Sequence, residues 1–219
     1  MMRALVIGAS GGIGGAVAEA LVARGAEVFQ RSRSEHVLDV TSEASVIAMY
    51  ESLEGPFDLI FVATGALSSG AGPERSLRAL TAQEMSAQFL INTVGPALCI
   101  KHGAALLPKE GRSVVAVLSA RVGSIGDNHL GGWYSYRASK AALNQIVHGA
   151  AIEIGRKYKE ALVVALHPGT VATSFTSQFP GHDKMTPDVA AARLLEVLDG
   201  LDVSQTGGFF DYAGKEIPW

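Results

Sequence analysis

The chain has 219 residues, of which 48% are hydrophobic and 18% charged, with 25 glycines and a net charge of −3. That length and composition suit one folded α/β domain and exclude a disordered chain. A slightly acidic balance without runs of like charge argues against nucleic-acid binding. The lone cysteine, Cys99, excludes an intrachain disulfide and fits a reducing compartment. The opening MMRALVIGAS enters a strand-like run with no signal-peptide pattern, and no stretch reads as long enough to span a membrane. A cytoplasmic protein is therefore expected.

In chain order, RALVIGA (3–9) reads as a buried strand, and GGAVAEALVARG (14–25) as a helix closed by Gly25. AEVFQ (26–30) is a second strand. The run 41–53 has a helical period with Thr41 as its N-cap. DLIFVAT (58–64) is a third strand. Residues 81–108 form a long helical pattern capped at Thr81, with a kink or break expected at Gly95-Pro96. RSVVAVLS (112–119) is a strand, 134–159 a helix, and ALVVALHPG (161–169) a strand ending in a turn. Thr186-Pro187 opens a helix over 186–200, and GGFFDY (207–212) is a last strand. Strands apolar throughout, each followed by a helix, predict a doubly wound (Rossmann), mostly parallel sheet with helices on both faces. No linker or repeat divides residues 1–219.

The first strand-to-helix turn, VIGASGGIGGA, spaces Gly8, Gly12 and Gly14 as G-x-x-x-G-x-G. Glycines allow a tight turn and close approach to a pyrophosphate, and the helix N-terminus presents free N–H groups to it. The same stretch also reads as G-x-S-x-G, a nucleophile elbow with Ser10 as nucleophile. An elbow needs an earlier strand and loop for half its oxyanion hole, so its position at the chain's start argues against that reading.

Tyr136 and Lys140 lie four apart on a predicted helix, hence on one face. Tyr134 is six from Lys140 and faces elsewhere. An adjacent ammonium would lower the phenol pKa and make Tyr136 a proton donor or acceptor. With the glycine loop, Asn92 in INTVGP, YRASK (136–140) and HPGTVAT (167–173) in this order, the whole chain resembles the short-chain dehydrogenase/reductase family. GGWYSYRASKAALN and GGFFDYAGKEIPW resemble its C-factor-like and sniffer-type carbonyl reductases more closely.

That resemblance implies hydride transfer between NADP(H) and a small carbonyl or alcohol substrate, in a homodimer or homotetramer that uses no metal. Tyr136 would be the general acid, and Lys140 would lower its pKa and bond the nicotinamide ribose. Asn92 would hold a relay water; the alternative is a structural amide at the kink. Ser10, Gly11 and Ile13 would complete the phosphate loop with Gly8, Gly12 and Gly14. Asp39, with Val40 beside it, would receive the adenine or else cap a helix. Gly65 would let the backbone approach the cofactor, and Pro168, Gly169, Val171 and Thr173 would line the nicotinamide site.

The chain departs from the family at its serine. The usual second serine of a pair is Ala120 here, after Ser119, which in a strand would point to the opposite face. Ser119 and Ser124 are the candidate replacements; without either, an oxyanion donor is missing and a non-catalytic NADP-binding regulator becomes the alternative. Where an acid would accept the ribose hydroxyls of NAD, the second strand ends in Arg31, Ser32 and Arg33. A guanidinium suits the 2′-phosphate, so NADP is expected over NAD. Cys99 and His102, three apart on a helix, read as packing rather than a metal site. Trp133, Trp219, Phe175 and Phe179 are candidates for an apolar substrate wall or subunit contact, and the short segment 174–186 for its cover.

Overall fold

The computed structural model describes residues 1–70, 72–177 and 183–219; Phe179 and the middle of segment 174–186 lie outside them. Strands β1 (Arg3–Ile7), β2 (Glu27–Arg31), β3 (Leu59–Val62), β4 (Ser113–Leu118), β5 (Ala161–His167) and β6 (Phe209–Asp211) form one sheet in the order β2-β1-β3-β4-β5-β6. All five pairings are parallel. The helices are α1 (Gly12–Ala23), the single turn α2 (Arg33–His36), α3 (Glu43–Glu51), α4 (Ala82–Phe89), α5 (Gly95–Gly103), α6 (Tyr134–Lys157) and α7 (Pro187–Gly200).

The strands are apolar throughout because both faces are covered. Leu5, Ile7, Ile60, Val62, Val115, Val117, Val163 and Ala165 face α3, α5 and α6. The alternate residues Ala4, Val6, Leu59, Phe61, Val114, Ala116, Leu162 and Val164 face α1 and α7. This is the doubly wound, Rossmann-like architecture that the strand–helix alternation implies. Strand order reverses between β2-β1 and β3-β4-β5-β6, and ligands of such sheets bind outside the carboxyl ends of the strands at that point.

Three local expectations are corrected. Ser42, not Thr41, caps α3, because its side chain accepts from the Ser45 N–H, while Thr41 donates to Asp39. The predicted break precedes Gly95-Pro96 as a π-helical turn, Leu90–Val94, in which the Gly95 N–H donates to Leu90 O. Pro96 has no N–H for the Asn92 carbonyl, and the wider turn absorbs that loss without ending the helix. The third concerns membrane span: the helical run 82–106 is long and apolar enough, by length and composition, to cross one. Here it packs against α3 and α6 and carries the hydrogen-bonded Gln88, Asn92 and Thr93 inside the fold.

Candidate active site

A cleft of about 220 Å³ opens at the switch point, lined by Gly11, Gly12, Gly14, Gly65, Tyr136 and Lys140 among others. Its floor is the first loop. Gly8 has φ +91°, and its N–H donates to Arg31 O at 2.7 Å, tying the ends of β1 and β2. Helix α1 then starts from Gly11 with no side-chain cap and no acid in its first turn, leaving its N–H groups to the cleft. A Cβ at Gly14 would stand 2.3 Å from Gly8 O, and one at Gly12 2.6 Å from Thr173 Cγ2. Thr64 Oγ1, in the same wall, is buried without a partner among the described residues. A backbone cradle that no side chain could fill, free helix-start donors and an orphan hydroxyl fit a dinucleotide pyrophosphate.

Pro168, Val171 and Thr173 line the cleft opposite the glycines, and Gly169, with φ +77°, lets Met185 and Tyr212 close in behind. Ser10 is exposed outside the lining, and among the described residues no histidine lines the cleft to serve Ser10 as a base.

Tyr136 and Lys140 do share one face of α6 and face this cleft. Burial, however, pushes the Tyr136 phenol up, not down, and pushes the Lys140 amine down to about 7. Lys140 is 3% exposed, and Nζ donates to Leu118 O at 2.9 Å rather than to the tyrosine. In the protein alone, desolvation thus outweighs the expected pull of the ammonium.

Asn92 is fully buried in the π-helical turn. Its side chain clasps the loop after β3: Oδ1 accepts from Ala66 N–H at 2.9 Å, while Nδ2 donates to Ala66 O at 2.8 Å. Nδ2 also meets Gln88 and Ser139. A Cβ at Gly65 would stand 3.2 Å from Asn92 Oδ1 and 3.5 Å from Lys140 Nζ, so the three groups meet at one wall of the cleft.

A second cavity, of about 460 Å³, adjoins the first and shares Tyr136, Phe175 and Thr176 with it. Leu67, Ala120, Val122, Trp133 and Phe175 make it largely apolar. Trp133 and Phe175 are thus wall residues, whereas Trp219 stacks on Phe209, 5.9 Å away, outside the lining. Neither candidate serine offers its hydroxyl here. Ser119 lines the first cleft, but its Oγ donates to Asn144 Oδ1 at 2.6 Å. Ser124 is 1% exposed, donates to Pro218 O and accepts from Asp127 N–H at 3.0 Å. The loop folds back on the C-terminus instead of bending toward Tyr136.

Sequence reading missed what seats Tyr136. Gly131, Gly132 and Trp133 are all left-handed, and Trp133 pays for that with strain a glycine avoids. Its N–H donates to Glu74 O at 2.6 Å, and the buried Glu74 carboxylate accepts from the Ser135 N–H at 3.3 Å and from the Ser135 hydroxyl. Glu74, sixty-one residues away from Ser135, thus replaces the absent N-cap of α6. Nothing local in the sequence marks a cap supplied from that distance. Glu74→Ala will lower stability by about 1–2 kcal/mol, the ordinary cost of a lost cap. Thermal unfolding checks this; an unchanged midpoint would show the carboxylate to be dispensable.

The end of β2 differs from its expectation. Ser32 is 1% exposed and caps α2, its Oγ accepting from the Glu35 N–H at 3.3 Å. An acid does stand at this spot: Glu35 Oε2 lies 3.5 Å from that Oγ. The one-turn helix α2 brings it there, and no acid at the end of the strand announced it. Arg33 is exposed, and Arg31 donates to Gln30 O at 2.7 Å. Asp39 is exposed and accepts from both the Thr41 N–H and hydroxyl, which hold its carboxyl below the ordinary value. Val40 packs against Gly95 of α5, so neither it nor Asp39 lines the cleft.

A family model described as enoyl-(acyl carrier protein) reductase matches residues 29–206. The 1-hydroxy-2-glutathionyl-2-methyl-3-butene dehydrogenase of Rhodococcus sp. (strain AD45) is 34% identical over a 235-position alignment covering 100% of both chains. Among solved structures, carbonyl reductase Sniffer of D. melanogaster matches with a TM-score of 0.86 at 23% identity over 100% of both chains, a likeness of fold. The NADPH-bound carbonyl reductase from chicken fatty liver matches with a TM-score of 0.86 at 25% identity, covering 100% of this chain and 94% of its own. An α/β sheet wound about a glycine cradle, with a tyrosine–lysine face beside it and relatives aligned end to end, places this chain in the short-chain dehydrogenase/reductase family.

Proposed function

We propose that residues 1–219 form one dinucleotide-binding domain, an NADPH-dependent oxidoreductase that interconverts a carbonyl and an alcohol. The observation that carries this reading is a single cleft lined at once by Gly11, Gly12, Gly14, Tyr136 and Lys140, opening onto an apolar cavity that Tyr136 shares. NADPH, when bound, supplies the hydride. Gly12 and Ile13 give backbone donors to the pyrophosphate, and the Gly11 N–H, bonded to Gly8 O at 3.0 Å, shapes the turn that aims them. Lys140 bonds the nicotinamide ribose. Pro168, Gly169, Val171 and Thr173 wall the nicotinamide. Tyr136 holds a proton on Oη and passes it to the substrate oxygen, and its raised pKa keeps that proton in place at neutral pH, as reduction requires. A homodimer or homotetramer is the expected assembly, which sedimentation would test.

The cofactor preference rests on Arg33, with Arg31 behind it, and is opposed by Glu35. Fluorescence titration should give tighter binding of NADPH than of NADH. Arg33→Ala will weaken NADPH binding by roughly 10- to 100-fold, the worth of a charge-assisted phosphate contact, and spare NADH. Equal affinity for both nucleotides would end the NADP assignment, and binding of neither would end the dehydrogenase reading.

Ala120, with both nearby hydroxyls engaged elsewhere, favours a second reading: a nucleotide-binding regulator that performs no chemistry. Tight NADPH binding without reduction of any aldehyde or ketone across a broad panel would select it. Turnover of any such carbonyl at a useful rate would discard it.

A further inference from the structure

His167 is the last residue of β5 and lines the apolar cavity that Tyr136 also lines. Leu118 pairs with Leu166, which sets His167 in the row of Ser119, next to Ala120. Side chains alternate along a strand, so His167 and Ser119 project to the α6 side, the side that carries Tyr136. His167, Ala120 and Tyr136 line one cavity.

The ring has no partner for either nitrogen among the described residues. Nδ1 is sealed and Nε2 is not, on a ring that lines the cavity. A buried N–H without an acceptor is rarer and costlier than an unpaired lone pair, so the proton belongs on Nε2. Burial first, and then Arg121 against the weaker opposite pull of Asp211, hold the imidazole pKa down to about 4. The ring is therefore neutral at neutral pH, with one N–H to offer on a ring that lines the same cavity as Ala120 and Tyr136.

We propose that His167 Nε2–H donates a hydrogen bond to the substrate carbonyl oxygen beside Tyr136, replacing the serine absent at Ala120. The substrate's apolar body lies against Leu67, Trp133 and Phe175. Hydride adds to the carbonyl carbon, the Tyr136 proton goes to the oxygen, and His167 keeps its own proton throughout. This rests on the carbonyl-reductase reading above.

Two measurements test it, and the first needs no turnover. A long-range 1H–15N spectrum of the labelled protein, with His167→Gln to assign the signal, should give the neutral Nε2–H tautomer at pH 7. An Nδ1–H tautomer or an imidazolium would overturn the proposal. The second is NADPH-dependent reduction of 4-nitrobenzaldehyde. His167→Leu should lower kcat by roughly 100-fold, as loss of one oxyanion donor does, with NADPH affinity unchanged as the sign of an intact fold. His167→Gln, which keeps an N–H, and the Ala120→Ser/His167→Leu pair, which supplies a hydroxyl, should each recover most of the loss. Wild-type turnover with an indifferent His167→Leu, or a loss that neither variant recovers, overturns this proposal alone. A wild-type protein that reduces no carbonyl overturns the parent reading as well.

Discussion

Tyr136→Phe will cut carbonyl turnover by roughly 100- to 10,000-fold, the range for loss of a positioned general acid, and leave NADPH binding intact. The change removes one oxygen and nothing else. The ring packs with Leu67 and Ala120, and its centroid lies 6.3 Å from Trp133 and 6.0 Å from Phe175. Phenylalanine keeps all of those contacts. The hydroxyl bonds no described residue, so its loss orphans no partner. Stability should accordingly stay level while kcat collapses. The pH profile separates the two members of the pair. Burial holds the phenol protonated well above neutrality, whereas Lys140 gives up its charge near 7. A neutral amine no longer eases proton release from the tyrosine, so kcat/KM for reduction should decline above about pH 7. Turnover by Tyr136→Phe at the wild-type rate would remove the tyrosine from the chemistry. A profile flat from pH 6 to 9 would remove Lys140 as the group that sets it.

The fold was legible because its signals are local and redundant. A glycine turn after an apolar strand, repeated strand–helix alternation and proline or glycine at helix ends all point the same way. The tyrosine–lysine face was legible for the same reason: a spacing of four residues fixes a shared face whatever the tertiary context. What the sequence hid depends on burial or on distant partners. The direction of the Tyr136 pKa shift is a property of depth, and depth is not written into Y-x-x-x-K. That the Asn92 side chain reaches Ala66, Gln88 and Ser139 is not legible in INTVGP, because Ala66 and Ser139 come from other elements. Ser124 looked near enough to replace the missing hydroxyl, but Pro218, ninety-four residues further along, claims it. Glu35 lies only four residues beyond Arg31; it escaped notice because a one-turn helix after β2 carries no apolar period. His167 was visible only as the first letter of a turn motif. Its orphan nitrogens and its place beside Ala120 exist only in the assembled sheet.

Two glycine-to-alanine changes in helices should move this protein in opposite directions. Gly149 lies exposed within α6, and a Cβ there meets nothing within 4 Å. Alanine removes backbone entropy from the unfolded chain and should add about 0.5–1 kcal/mol, raising the melting midpoint by about 2–4 °C per kcal/mol in a chain of this size. Gly14 has the same helical preference in its favour, yet a Cβ there would stand 2.3 Å from Gly8 O and 2.8 Å from Gly8 C. Neither atom can step aside cheaply: Gly8 is held in a left-handed turn, and its N–H is bonded to Arg31 O. Relief requires the phosphate loop to move away from α1, which undoes the approach that lets backbone donors reach a pyrophosphate. Gly14→Ala should therefore destabilise by roughly 2–4 kcal/mol, as backbone overlap in a core does, and abolish NADPH binding in whatever fraction remains folded. Melting curves with and without NADPH read both effects together, since a bound ligand raises the midpoint with the logarithm of its concentration over Kd. The wild type and Gly149→Ala should respond to NADPH alike, and Gly14→Ala not at all. If Gly14→Ala keeps the NADPH-induced shift, the loop tolerates displacement, and the cradle cannot be what holds the nucleotide.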